Sequence, residues 1–141
     1  PAGFLSSGGA FDVWGDPKAE LMLVTYGRLF SYACHAKEAL HKLGIEICIL
    51  KLNQIKPIET ECLSLCLEKR RVFFFEEGIL NGGIGETFGY LLQKNHYPGE
   101  FYLNAIEEAF VPQASVKSSL CRFCLDEKGM ENIIYGVENR E

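Results

Sequence analysis

The alternation of strand-like and helix-like runs constrains the fold of this chain more than any other feature. Its strand-like runs are short and rich in aliphatic and aromatic residues, and they lie at 20–26, 45–52, 72–76 and 101–106. Helix-like runs with apolar residues at helical spacing separate them, at 29–43, 59–69 and 86–94. Such an alternation, joined by short loops, predicts a parallel or mostly parallel sheet that helices cover on both faces.

Two further segments lie at the ends of the chain. The leading segment, 1–19, contains Phe-Asp-Val-Trp at 11–14, which we interpret as a short edge strand. The closing segment, 115–137, predicts one or two helices interrupted at 126–129. With 141 residues the chain has the size of a single domain, so we treat 1–141 as one unit. Because it begins at Pro1 without an initiator methionine, we expect it to be a piece of a longer protein.

Charge, hydropathy and cysteine usage argue against several kinds of partner and location. The net charge is −5, so no basic face is expected and nucleic acid and anionic membranes are poor partners. The longest strongly apolar runs are strand-sized, whereas a membrane span needs roughly 20 apolar residues. Several of the six cysteines lie in apolar periodic segments, where free thiols pack as small hydrophobic side chains. We therefore expect a reducing, cytoplasmic compartment.

The glycine-rich turn after the third strand is the first candidate for chemistry. It runs over 76–85 as Glu-Glu-Gly-Ile-Leu-Asn-Gly-Gly-Ile-Gly and precedes a helix, whose N-terminus could bind a phosphate. However, Phe88 stands where a dinucleotide fingerprint needs a small residue, and the turn follows the third strand rather than the first. We favour a tight turn whose glycines allow positive φ and a close approach of the helix.

Glu76 and Glu77 are the second candidate, since carboxylates at the carboxyl end of a strand lie where open α/β sheets bind ligands. They could act as a general acid and base. Nothing near them in the sequence supplies a histidine or a second base. We therefore favour carboxylates that cap the loop or pair with a partner surface.

The cysteines are the third candidate. Cys62 and Cys66, together with Cys121 and Cys124, could supply four thiolates to zinc. Both pairs lie in helix-like stretches without the turn glycines of a zinc knuckle, which argues against a metal site. From the residues alone we expect no catalytic, cofactor-binding or metal-binding residue in this chain.

Three motifs, taken together, resemble a known family. Their order and spacing resemble those of the C-terminal domain of transketolase-like, thiamine-diphosphate-dependent enzymes. The motifs are LMLVTYGR at 21–28, GIEICILKLNQIKPI at 44–58 and VFFFEEGILNGGIGETF at 72–88. The tail, with Phe-Val-Pro-Gln-Ala-Ser at 110–115 and Leu-Asp-Glu-Lys-Gly-Met at 125–130, resembles the 1-deoxy-D-xylulose-5-phosphate synthases within that family. Gln113 and Ala114 stand where those synthases tend to have His-Gly.

The resemblance implies a fold for this chain and implies that other domains of the protein carry out the catalysis. The fold is an α/β, three-layer α/β/α sandwich with a five-stranded, mixed, mostly parallel sheet. The catalytic residues, thiamine diphosphate and Mg²⁺ belong to two preceding domains that this chain does not contain. The domain packs against them and helps to form a homodimer, and the expected interface is the turn formed by Glu76, Glu77, Gly78, Gly82, Gly83 and Gly85.

The whole enzyme would condense pyruvate with glyceraldehyde 3-phosphate and release carbon dioxide, on the route to isoprenoids. This fragment alone would be inactive. Two alternatives remain open at this point. The chain could be the C-terminal domain of a 2-oxo-acid dehydrogenase β chain, or a free-standing regulatory domain that binds a small anion at Gly83.

Overall fold

The computed structural model of the chain describes residues 8–79, 83–106 and 126–139. The strands within these ranges are β1 Phe11–Trp14, β2 Leu21–Tyr26, β3 Ile47–Leu52, β4 Arg71–Ile79 and β5 Glu100–Ile106. The helices are α1 Leu29–Lys42, α2 Thr60–Leu67, α3 Ile84–Lys94 and α4 Glu127–Glu138. All four predicted strands are therefore confirmed, and the expected edge strand forms as β1.

The five described strands form one mixed sheet in the order β1-β3-β2-β4-β5. β2, β3, β4 and β5 run parallel, and β1 pairs antiparallel with β3 at the edge. β2 and β4 lie inside the sheet, and β2 and the 72–75 part of β4 are almost continuously apolar, as strands covered on both faces are. The predicted α/β, mostly parallel architecture is confirmed.

Side chains alternate between the two faces of the sheet and fill two separate cores. On one face Leu23, Phe73 and Phe75 pack with α1 and α4. On the other face Val24 and Phe74 pack with α2 and α3. The predicted three layers follow from this, because each helix buries its apolar side against the face that its own crossover reaches.

The C-terminal helix begins where the sequence suggested an interruption. Asp126 is its N-cap, and the Asp126 carboxylate accepts a hydrogen bond from the Gly129 N–H at 2.9 Å. An aspartate three residues before an N–H is a favourable cap, so a helix starts directly after Asp126. The stretch 107–125, which includes Cys121, Cys124 and Gln113, lies outside the described residues.

The amino ends of the parallel strands carry a network of ion pairs. Arg71 donates from Nε to Glu100 Oε1 at 2.6 Å and also binds Glu138 of α4. Arg70 donates to Glu138 Oε1 at 2.7 Å and to Glu20 Oε2 at 3.2 Å. These bonds attach the last helix to the start of β4. Within the part of the chain described here, no helix is both long and apolar enough to span a bilayer.

Candidate functional site at the carboxyl edge of the sheet

A buried carboxylate lies at the carboxyl edge of the sheet, where β4 leads toward α3. Glu76 is only 1% exposed, yet three donors surround its two oxygens. Tyr26 donates its phenolic O–H to Oε2 at 2.8 Å. The backbone N–H of Gly85 donates to Oε1 at 2.8 Å, and that of Ile84 to Oε2 at 3.2 Å. A buried charge is tolerated only with such compensation.

The local structure of β4 explains how this side chain reaches the helix. The pairing of β4 with β5 is regular up to Phe75 and resumes at Ile79, with a register shift between them. Such an irregularity re-aims the side chains that lie in it. Gly83 is the N-cap of α3 and has no side chain to cap it, so Glu76 takes that role from the neighbouring strand.

Tyr26 is the last residue of β2, next to β4 in the sheet, and this position brings its hydroxyl to Glu76. Its ring is half-buried and meets Phe74 edge-on at a centroid distance of 6.3 Å. Burial raises the pKa of Tyr26, and its hydrogen bond to Glu76 and the charges of Glu76 and Glu77 raise it further. The phenol therefore stays protonated and acts as a hydrogen-bond donor.

Glu77 takes the opposite orientation and pairs with Arg28. Arg28 donates from Nε to Glu77 Oε1 at 2.6 Å, and its second nitrogen binds the other carboxylate oxygen. The hydrogen bond to Glu77 raises the pKa of Arg28. The arginine side chain is 54% exposed and that of Glu77 is 29% exposed, so this pair faces solvent.

Two described glycines at the start of α3, Gly83 and Gly85, test the predicted reasons for the glycine-rich turn. Gly83 has φ −80° and ψ 175°, an extended conformation that any residue adopts, so the prediction of positive φ is wrong there. A Cβ at Gly85 would lie 2.2 Å from Leu103 Cδ1 and 2.7 Å from Glu76 Oε1, so the predicted close approach is confirmed. Gly78 lies within β4, and Gly82 lies outside the described residues.

The chemistry available to Glu76 is limited by its surroundings. A side chain that is 1% exposed cannot touch a substrate, so Glu76 fits the predicted role of a cap and not that of a general acid or base. Its carboxylate also occupies the N–H groups of Ile84 and Gly85, which an external phosphate at this helix would need. The geometry disfavours the anion-binding regulatory alternative for this physical reason.

The described cysteines are free thiols with apolar surroundings. Cys48, Cys62 and Cys66 are fully buried in the core between the sheet and α2. Burial raises the pKa of Cys62 to about 11 and also raises the pKa values of Cys48 and Cys66. Thiols of this kind are poor nucleophiles and stay protonated. No cluster of three or more potential metal ligands occurs among the residues described.

The comparison with protein families decides the identity of the fold. The family model described as the transketolase C-terminal domain matches residues 14–130. The chain belongs to this family. The matched span runs from the edge strand β1 into α4, so the Glu76 site lies inside the transketolase C-terminal domain itself.

Curated relatives of this transketolase C-terminal domain include 1-deoxy-D-xylulose-5-phosphate synthases. The synthase of Clostridium botulinum strain Alaska E43 is 29% identical over 133 residues, covering 93% of this chain and 21% of the relative. That of Bacillus velezensis is 27% identical over 115 residues, covering 81% of this chain and 18% of the relative. The chain thus spans about a fifth of the length of these relatives and matches their C-terminal region.

Solved structures share the fold. One is a split-gene transketolase described as an inactive tetramer of beta subunits. It superposes with a TM-score of 0.78 at 20% identity, and the match covers 89% of this chain and 41% of the transketolase chain. The transketolase of Campylobacter jejuni gives a TM-score of 0.65 at 14% identity, covering 90% of this chain and 18% of its own. At these identities the likeness concerns the fold.

The described residues at the carboxyl edge do not offer the donors and ligands that thiamine diphosphate and Mg²⁺ need. A diphosphate needs free N–H donors and a Mg²⁺ ion needs clustered oxygen ligands. At the carboxyl edge two N–H groups of α3 are bonded to Glu76, and Glu77 is bonded to Arg28. No step of cofactor chemistry can be assigned to these residues.

Sequence reasoning located Glu76, Glu77 and the turn, but it missed the two residues that complete the site. Tyr26 and Arg28 lie about 50 positions earlier in the chain, and nothing local predicts which carboxylate each will bind. The only signal was positional. Tyr26 and Glu76 each end a strand-like run, and the carboxyl ends of neighbouring parallel strands meet at one edge.

Proposed function

We propose that this chain is the C-terminal accessory and assembly domain of a thiamine-diphosphate-dependent 1-deoxy-D-xylulose-5-phosphate synthase. The observation that carries the proposal is the match of most of the chain to the C-terminal fifth of such synthases, within the transketolase C-terminal domain family. The parent enzyme would make 1-deoxy-D-xylulose 5-phosphate, the compound in the relatives' name. The family resemblance implies that it does so by joining pyruvate to glyceraldehyde 3-phosphate with loss of carbon dioxide.

In this proposal the domain contributes no catalytic group. Thiamine diphosphate supplies the carbanion chemistry in the preceding domains, and this domain holds them in position. The buried state of Glu76 supports that division, since its carboxylate is bonded to Tyr26 and to the backbone of α3.

The proposed partners are the preceding domains of the same polypeptide and a second copy of the whole enzyme. The surface we assign to these contacts is the turn around Glu76, Glu77, Gly78, Gly82, Gly83 and Gly85. The reducing, cytoplasmic location expected from the cysteines stays a prediction.

The test is an assay of the full open reading frame that contains this chain. Carbon dioxide release from pyruvate is measured with and without glyceraldehyde 3-phosphate and thiamine diphosphate, beside the 141-residue chain alone as the control. We expect release that requires both additions, and none from the chain alone.

Two other results would change the assignment. Release that requires a lipoyl acceptor in place of the sugar phosphate would move the parent to the 2-oxo-acid dehydrogenases. Absence of release under both conditions, in a folded full-length protein, would contradict the synthase proposal.

A further inference from the structure

The polypeptide enters the sheet at its carboxyl edge. β1 runs antiparallel to β3, and its first residue, Phe11, lies opposite Leu52, the last residue of β3. Tyr26, the last residue of β2, also lies opposite Leu52. The chain that leads into Phe11 therefore arrives at the same edge as the Glu76 capping site.

Asn53, directly after β3, fastens this entry point. Its side-chain Nδ2 donates to the Gly9 carbonyl at 3.1 Å and to Asp12 Oδ2 at 2.7 Å. The backbone N–H groups of Asn53 and Gln54 both donate to the Ala10 carbonyl, at 2.8 and 2.9 Å. A strand of only four residues is thus held at its start by side-chain as well as backbone bonds, which fixes the direction from which the preceding chain comes.

The carboxyl edge offers a surface of the mixed kind that joins domains within one chain. Three half-buried apolar side chains, Tyr26, Ile55 and Ile84, belong to segments at this edge, as does the Arg28–Glu77 pair. We call these five residues the carboxyl-edge surface. Interfaces between domains of one polypeptide typically combine such apolar area with a few ion pairs.

The amino edge of the sheet, opposite the carboxyl edge, differs from it in the charge of its side chains. At the amino ends of the parallel strands the side chains are mostly charged and bonded to one another: Glu20, Arg70, Arg71, Glu100 and Glu138. Covering this network would remove several charges from water without supplying new partners, which is costly. The two edges therefore differ in what they can bury.

We propose that Asn53 clamps the entering chain so that the part of the longer protein that precedes Pro1 docks on the carboxyl-edge surface. β1 and β4 are three strand spacings apart, roughly 14 Å, which is comparable to the radius of a domain of about 100 residues. A domain tethered at β1 therefore covers Arg28 and Glu77 without a long linker. The inference rests on the proposed function only in requiring that a longer polypeptide precedes this chain.

Lysine cross-linking of the full-length protein tests the docking directly. Lys56 is exposed in the loop after β3 at the carboxyl edge, whereas Lys18 and Lys94 are exposed toward the amino edge. We expect an amine-reactive cross-linker, read by mass spectrometry, to join Lys56 to lysines that precede Pro1. Cross-links of equal or higher yield from Lys18 or Lys94 would overturn the proposal.

Two variants test the clamp and the surface separately. Asn53→Ala should lower the Lys56 cross-link yield about threefold, as expected for the loss of the side-chain hydrogen bonds. Asn95→Ala is the matched control, because Asn95 donates to the Leu91 carbonyl at the far end of α3 and should leave the yield unchanged. Arg28→Glu should lower the yield without touching the clamp.

An unchanged Lys56 yield in both Asn53→Ala and Arg28→Glu would overturn the inference. The cross-link pattern does not depend on which reaction the parent catalyses. If the carbon dioxide assay fails while the Lys56 pattern holds, the synthase proposal falls and the docking inference stands.

Discussion

At the scale of single residues, Glu76 determines how the carboxyl edge is built. An ionised carboxylate that is 1% exposed would be strongly destabilising without partners. Here it satisfies two backbone N–H groups at the start of α3, where the partial positive charge of the helix dipole favours an anion. The residue thus links β4, β2 and α3 through one side chain.

Replacing Glu76 by alanine should destabilise the isolated chain by about 2–4 kcal/mol, since it removes a helix cap and leaves the Tyr26 hydroxyl without an acceptor. Glu77→Ala is the matched control and should change stability much less, because the Arg28–Glu77 pair faces solvent. Urea unfolding monitored by circular dichroism gives both free energies. Equal losses in the two variants would contradict the capping role.

The sequence predicted that Glu76 caps the loop or pairs with a partner surface, but it did not predict which groups Glu76 binds. Its position between a strand and a glycine-rich turn is a local signal. Tyr26 lies 50 residues away, and its pairing with Glu76 exists only because β2 and β4 are neighbours in the sheet.

At the scale of elements, the attachment of α4 depends on the amino-edge ion pairs. The sequence predicted a helix-like run at 59–69, but α2 ends at Leu67. Lys69 is instead buried and donates to the carbonyls of Pro17 and Ala19, and Arg71 begins β4. The side chains of Lys69 and Arg71 therefore bond to residues distant in the sequence instead of to the end of α2.

The Arg71–Glu100 pair predicts a pH dependence of stability. The hydrogen bond from Arg71 holds the pKa of Glu100 below its ordinary value of about 4.3. Because the folded pKa is the lower one, the pair stabilises the fold above the unfolded pKa and loses this contribution as the pH falls through the folded pKa. Below both values the contribution is absent.

The free energy of unfolding of the wild type should therefore exceed that of Glu100→Gln at about pH 6, and the difference should shrink as the pH falls below about 4. Added salt should reduce the difference at about pH 6, since Glu100 is exposed to solvent. A difference that is constant from pH 6 to pH 3 would show that Glu100 acts through packing instead of charge.

At the scale of the whole molecule, the turn is expected to serve assembly more than folding. Gly83 has an extended backbone conformation that valine also adopts, so the substitution should add no backbone strain to the isolated chain. In the full-length protein Gly83→Val should weaken dimerisation and turnover, because the added side chain enters the proposed interface.

Gly136→Val is the matched control for this prediction. Gly136 lies on α4 with open space around it, and its substitution should leave assembly unchanged. Sedimentation velocity and turnover of the full-length variants provide the comparison. If Gly83→Val keeps both dimerisation and turnover at wild-type levels, the turn is not an assembly surface.

The sequence by itself determined the type and order of the strands and helices, because apolar periodicity and turn residues act over a few positions. It also placed the glycine-rich turn and Glu76 at the end of a central strand. The tertiary structure decided what those residues meet. The order β1-β3-β2-β4-β5 brings Tyr26 to Glu76 and sets the entry of the chain at Asn53 on the same edge. These contacts join residues more than 40 positions apart, so only the packing of the sheet could select them.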